Sequence, residues 1–355
     1  MTSRREFLGQ AAATAASVLF TGCSMTGGRG DVRMVAENGR RQVIVSGRRV
    51  KTIDIHAHCV VPEAMALMKR PVPPGPLDMA NDRLRVMDAQ GIDIEALSIN
   101  PIWYTLERDL VTKVVSVQNE KLAELSAANP ERFVAFASVA LQYPDLAAQQ
   151  LEHGIKKLNL RGVAVGSRVG PLELANPKFH PFWAKAEELG VLVFIHPAGV
   201  PELNKRLAGN GVLENVIGNP LDTTIALSQL IFQGTLDRFP GLKVCGAHGG
   251  GYLPSYKDRS DHGCLTFPQR CDPNIKLKKQ PTEYIKQLYV DSLIFTSDAL
   301  RHLANQVGSD RIMLGTDYPF PWTNRGVEHI LEAEGFTDSE KAAMLGETAA
   351  KLLRL

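Results

Sequence analysis

Long apolar runs are missing from this 355-residue chain: the uncharged stretch from Phe7 to Cys23 falls short of the ~20 apolar residues that span a bilayer. Charge of one sign is missing too. With a formal net charge of +2 and basic residues dispersed rather than striped, the electrostatic footprint of a nucleic-acid binder is absent. Cysteine is scarce, with Cys23, Cys59, Cys245, Cys264 and Cys271 at no metal-finger spacing, and a chain of this length needs no disulfide staple. A Cys264–Cys271 bridge in an oxidising compartment and a pair of free buried thiols both stand open. Low-complexity blocks and sequence repeats are likewise absent.

The N-terminus carries Arg4 and Arg5 ahead of an apolar middle, the plan of a twin-arginine export signal over residues 1–23, which predicts a periplasmic protein. Leu19 to Cys23 is similar to a lipobox, with Phe20 where leucine is usual, so lipidation of Cys23 and ordinary cleavage nearby are alternatives. A lipid at Cys23 would be the only membrane attachment. Residues 24–50, rich in Gly, Arg and Ser, read as a tether followed by a short strand or hairpin around Arg41 to Val50. The remainder, 51–355, suits one α/β barrel, a class that routinely runs past about 250 residues.

Short β-branched runs alternate with helical periods to the C-terminus, the signature of βα units around a parallel sheet. Eight strand candidates, from "KTIDIHAH" to "RIMLGTDYP", with helices between them predict a closed (β/α)8 TIM barrel. In such barrels the active site gathers at the C-terminal ends of the strands. His56 and His58 end the first barrel strand, His196 the fifth, His248 the sixth and Asp317 the eighth, so five ligand-type side chains converge on one mouth. Along a strand alternate residues share a face, so His56 and His58 point the same way. Three imidazoles and a carboxylate suit a borderline-soft divalent ion, zinc first, with a position left for water. His153, His180, His302 and His329 fall in predicted helices and read as packing or surface residues.

"DIHAH", "FIHPAG", "VCGAHGGGYLP" and "LGTDYPFP" together resemble the metal signature of the amidohydrolase superfamily, in its family 2 branch typified by aminocarboxymuconate-semialdehyde decarboxylase, and the resemblance runs from Thr52 to Leu355. It implies that His56, His58, His196 and Asp317 hold one divalent metal and that His248 is the catalytic histidine beside the metal-bound water, with Asp317 sharing the proton traffic. It also implies that Arg259, in "KDRSDHG", reaches the carboxylate of a small-molecule acid in the neighbouring subunit, making the working unit a homodimer. The implied reaction is non-oxidative decarboxylation of a small aromatic or unsaturated carboxylic acid. A hydrolase of a lactone, amide or C–C bond using the same metal-bound water is the alternative; an exported binding protein with an inactive barrel is a third reading.

The chain departs from the type member in two places. The loop after the first barrel strand is short and lacks a second substrate arginine, Arg70 being more simply a solvated neighbour of Lys69, and Ala198 stands where a pocket tryptophan is usual. The type member's own substrate is therefore not expected. Trp103 and Tyr104 are candidates for the substrate-pocket wall, with packing beneath a loop as the alternative.

Overall fold

Eight parallel strands form the centre of the molecule in a computed structural model that describes residues 32–37, 39–73 and 82–355. The export signal, Cys23 and the start of the tether lie outside the described residues. Ahead of the barrel, β1 (Arg33–Glu37), β2 (Arg40–Val45) and β3 (Arg48–Val50) form an antiparallel sheet. The β2–β3 turn places Ser46 and Gly47 at φ 52° and 72°, the positive pair that a two-residue hairpin loop demands. Arg40 and Arg49 both reach the Asp93 carboxylate, and Arg41 pairs with Glu328 at 2.8 Å, so the sheet is bound to the barrel by buried and half-buried charge pairs.

The barrel strands are β4 (Ile53–His58), β5 (Ile94–Ser98), β6 (Phe133–Ala137) and β7 (Gly162–Gly166), followed, after a small hairpin of β8 (Arg168–Val169) and β9 (Leu172–Glu173), by β10 (Leu192–His196), β11 (Lys243–Gly246), β12 (Tyr289–Asp291) and β13 (Ile312–Met313). Sequential strands are neighbours throughout. Ile55 N donating to Leu314 O at 2.9 Å, with a parallel bridge between Ala57 and Tyr318, joins the last strand to the first. The expected (β/α)8 barrel is present. Strands β12 and β13 are shorter than the apolar runs in the sequence because the chain turns out of the sheet at Ser292 and into a left-handed residue at Asp317, φ 62°.

Every residue of β4, β5, β6, β7 and β10 is buried, as strands covered on both faces must be. Ile53, Ile55, Phe136, Leu192 and Phe194 fill the barrel, and Ala349, Leu352 and Leu353 of the C-terminal helix join that inner cluster. The principal outer helices are α1 (Pro62–Leu67), α2 (Asp82–Gln90), α3 (Arg108–Ala128), α4 (Pro144–Lys156), α5 (His180–Leu189), α6 (Asn219–Phe232), α7 (Lys257–Thr266), α8 (Ser297–Val307) and α9 (Gly326–Glu332), before the closing α10 (Thr348–Leu353). Their boundaries follow local chemistry. The N-cap Thr296 side chain accepts from Ala299 N, and Leu300, Leu303 and Val307 of α8 recur at helical spacing to make its buried face. Helix α7 differs from all of these in having no buried residue. No helix among the described residues is long and apolar enough to cross a membrane.

Candidate metal centre and active site

A one-residue irregularity in the β4–β5 register between Asp54 and Ala57 lets the chain change face at the end of β4. Ile53 and Ile55 pack in the inner cluster, and the His56 ring also lies against Phe194, with centroids 5.0 Å apart. Nε2 of His56 and Nε2 of His58 face each other at 3.1 Å, as the shared face predicts. His196 enters from β10, with its ring 4.6 Å from that of His58 and 5.3 Å from that of His56. Asp317 Oδ1 lies 3.1 Å from His56 Nε2 and 2.9 Å from His58 Nε2. One donor atom from each of His56, His58, His196 and Asp317 lies within 4.8 Å of the others, and all four residues are buried.

The outer nitrogens of the three rings identify what this cluster can bind. His56 Nδ1 faces the Asp291 carboxylate at 2.6 Å, His58 Nδ1 faces Ser98 Oγ at 3.1 Å, and His196 Nδ1 faces the carbonyl of Pro197 at 3.0 Å. In each neutral ring the Nδ1 proton is spoken for, so Nε2 presents a lone pair. Three lone pairs and a carboxylate oxygen therefore meet, and that oxygen, Asp317 Oδ1, is buried with no well-aligned hydrogen bond. Such a donor set fits a divalent cation and leaves a proton network badly satisfied. His56, His58, His196 and Asp317 form a metal site.

The electrostatics agree. Burial opposes a charge on His56, but Asp317 and Asp291 outweigh it and lift the imidazole to about 10. Burial holds His58 down at about 4 and His196 well below the ordinary histidine range. Burial would raise Asp317, yet the His56 charge and the close approach of the His248, His56 and His58 rings hold it far below the ordinary carboxylate range. Without a cation the two carboxylates draw one proton onto His56, the charge a bound metal would supply in its place, while His58 and His196 stay neutral. Cys59, adjacent to His58, is not among the clustered donor atoms, and burial pushes its thiol up to about 12.

His248 follows β11 in a left-handed conformation, φ 56°, as does Asp317, φ 62°; side-chain-bearing residues rarely adopt this region, and it recurs at functional sites. His248 Nε2 lies 3.7 Å from Asp317 Oδ2, while its Nδ1 is buried without a partner. The glycines after it allow close packing. A Cβ at Gly251 would stand 2.1 Å from Pro220 O and one at Gly249 2.7 Å from Ile294, so they let this turn press against α6 and the β12 exit.

Asp291 was not among the residues singled out from sequence. Besides holding His56, its carboxylate accepts from the backbone N–H of His248 and Gly249, each at 2.8 Å, and of Leu293 at 3.1 Å. One side chain thereby orients a metal ligand and the turn carrying His248. The signal was available: "YVDS" puts a carboxylate at the C-terminal end of a barrel strand, as the rule that selected Asp317 requires. Phe320 is a second such residue, exposed at the mouth with its ring 5.7 Å from that of His58.

The remaining candidates divide. Trp103 is not a pocket wall: it is fully buried, its indole N–H donating to Val139 O at 2.9 Å in the packing outside the barrel. Tyr104 is half-buried at the end of β7, its hydroxyl accepting from Gly166 N at 3.2 Å. Arg259 is exposed on α7. Cys264 and Cys271 are joined in a disulfide. Of the helical histidines, His302 bonds Ser255 at 3.2 Å, and none of the four joins the metal cluster.

The chain is 33% identical over 276 residues to a 2-amino-3-carboxymuconate-6-semialdehyde decarboxylase of Dictyostelium discoideum, covering 77% of this chain and 76% of that one. It is 30% identical over 291 residues to a gamma-resorcylate decarboxylase of Rhizobium radiobacter, covering 78% and 87% respectively. Among solved structures it superposes on 5-carboxyvanillate decarboxylase from Sphingomonas paucimobilis with a TM-score of 0.78 at 26% identity, over 86% of this chain and 99% of that one. The amidohydrolase family model matches residues 53–355, the whole barrel with its metal ligands, and the chain belongs to that family.

Proposed function

We propose that this protein is a metal-dependent, non-oxidative decarboxylase of a small aromatic or unsaturated carboxylic acid. The observation that carries the reading is the buried cluster of three imidazole lone pairs and Asp317, with His248 beside it, in a chain whose relatives are named as decarboxylases. A divalent ion held by His56, His58, His196 and Asp317 would supply Lewis acidity to a substrate oxygen. The protein's own groups do the rest. Asp291 fixes His56 and the turn that carries His248. His248, its side chain 15% exposed, stands beside the metal cluster and Asp317, so it can hand a proton to the carbon that loses its carboxylate. The electron pair of the breaking C–C bond stays on that carbon, takes the proton, and carbon dioxide departs. Phe320 offers an aromatic face to a planar substrate.

Zinc is the ion we favour, since a nitrogen-rich set of four suits it, with manganese as its competitor. The working unit we propose is a homodimer built through α7. That helix buries nothing in its own chain, and Tyr256, Leu265 and Phe267 around it are exposed. In this dimer Arg259 of one chain serves the carboxylate bound in the other. Replacing Arg259 by Met is expected to raise KM for the carboxylate at least tenfold while metal content stays unchanged; an unchanged KM would remove Arg259 from the site. Export by the twin-arginine route remains our proposal for location, and the Cys264–Cys271 bridge suits an oxidising compartment. Fractionation that finds the mature chain only in the cytoplasm would defeat it.

The deciding experiment is product mass after incubating metal-loaded protein with a panel of aromatic acids, lactones and amides. Loss of carbon dioxide supports the decarboxylase. Gain of water would make the protein a hydrolase with the same metal cage.

A further inference from the structure

The last ligand of β4 and the ligand that follows β13 are nearly the whole barrel apart in sequence, yet His58 Nε2 and Asp317 Oδ1 lie 2.9 Å from each other. One buried side chain touches the backbone or the neighbour of both. Arg83, on the first turn of α2, is 1% exposed. Its Nη1 donates to the carbonyl of His58 at 2.8 Å, and its Nε donates to the Glu95 carboxylate of β5 at 2.5 Å. Its guanidinium carbon lies 4.7 Å from the ring centroid of Tyr318, the residue after Asp317. Tyr318 in turn accepts the N–H of His58 on its carbonyl at 2.6 Å. From this geometry we infer that Arg83 is a positioning residue for the metal centre: its planar fork braces β4, β5 and the chain after β13 against one another and so sets the His58–Asp317 separation.

The chemistry favours arginine over any other residue here. Two donors in a fixed plane satisfy a carbonyl and a carboxylate at once, and the flat face stacks on an aromatic ring, which a lysine ammonium cannot do together. Glu95, itself 1% exposed, neutralises the guanidinium, so the brace adds no net charge beside a cation. A simple ion pair for stability would need only Glu95. The bond to the His58 carbonyl and the contact with Tyr318 are what tie the pair to the ligands. Positions that orient ligands from outside the coordination shell change metal affinity or activity by about 10- to 100-fold when lost.

This inference rests on the four-ligand metal site, and the test separates the two. Zinc affinity is measured by competition with a chromophoric chelator, and melting of the metal-free chain is recorded in parallel. The informative variant is the double substitution Arg83→Met with Glu95→Leu, which removes both buried charges and avoids leaving one uncompensated. The expected result is zinc affinity lower by about 10- to 100-fold with the metal-free melting temperature little changed. Arg83→Lys, which keeps the charge without the fork, is expected to weaken zinc in the same direction and serves if the double variant does not fold. Wild-type zinc affinity in the folded variants would overturn the brace while leaving the metal site standing. A wild-type chain that binds no zinc or manganese would overturn the site, and the brace with it.

Discussion

Asp291 and His248 touch the same small volume and should respond to substitution in opposite ways. Asp291→Ala leaves the Nδ1 proton of His56 and three backbone N–H groups without their acceptor inside a buried pocket, and each such orphan costs about 1–3 kcal/mol. The expected outcome is a lower melting temperature together with metal affinity reduced by about 10- to 100-fold, measured by calorimetry and chelator competition. His248 supplies no ligand atom to the metal cluster. His248→Asn should therefore retain full metal content by elemental analysis while turnover falls by about a hundred- to ten-thousand-fold, the range for a lost proton-transfer group. If His248→Asn lost its metal, the residue would have to be counted among the ligands. The residues themselves were legible in the sequence because chemistry at barrel strand ends is sparse: His56, His58, His196, His248 and Asp317 all meet at the mouth. Trp103 left two readings open because a large aromatic in a loop carries no mark of which side of that loop it packs under, and the structure follows the packing one, with its indole N–H on a buried carbonyl.

Among the elements, α7 and the turn after it stand apart from the barrel. Every other principal helix in the structure buries at least one residue, whereas α7 buries none and is tied at its end by the Cys264–Cys271 bridge, seven residues apart. A bridge closing so short a loop constrains the unfolded chain only locally. Reduction, or Cys264→Ser with Cys271→Ser, should leave the main melting transition of the barrel almost unmoved. At concentrations where the chain is monomeric it should instead open residues 257–271 to proteolysis, because few buried contacts within one chain hold them otherwise. Limited digestion with and without reductant, followed by mass mapping, reads this out. A large fall in the melting temperature would show that the segment is integral to the barrel. The sequence announced the barrel strands and most outer helices through their apolar periods. It did not announce β1, since "RMVAE" has no apolar run of strand length and becomes a strand only by pairing with β2. Nor did it reveal the irregularity in β4, because a register shift depends on the partner strand and leaves no trace in the pattern of one chain segment.

At the scale of the whole molecule, stability should depend on pH through buried groups that are not themselves metal ligands. His180 and His329 sit on α5 and α9, and burial lowers both below the ordinary 6.5, with Arg238 adding to the effect at His180 and Glu332 opposing it at His329. His329 Nε2 is buried without a partner, the geometric counterpart of that shift. An imidazole that binds its proton more weakly when folded gives the unfolded chain the advantage as protons become available. Its contribution is intact above pH 6.5 and declines as pH falls through and below that value. Asp54 acts with the opposite sign. Burial and the nearby Glu95 raise it to about 7, so its buried charge costs most above that pH and the cost fades on acidification. The wild-type profile is a sum of these opposed trends, and only a difference profile isolates one of them. His329→Gln keeps a polar side chain that does not titrate. Measured on metal-free protein, so that release of the ion does not enter, its melting temperature should run parallel to wild type above pH 6.5. Below that pH it should fall less steeply, the gap widening as the unfolded wild-type imidazole takes up its proton ahead of the folded one. Parallel curves over the whole range would mean that His329 binds its proton equally well folded and unfolded.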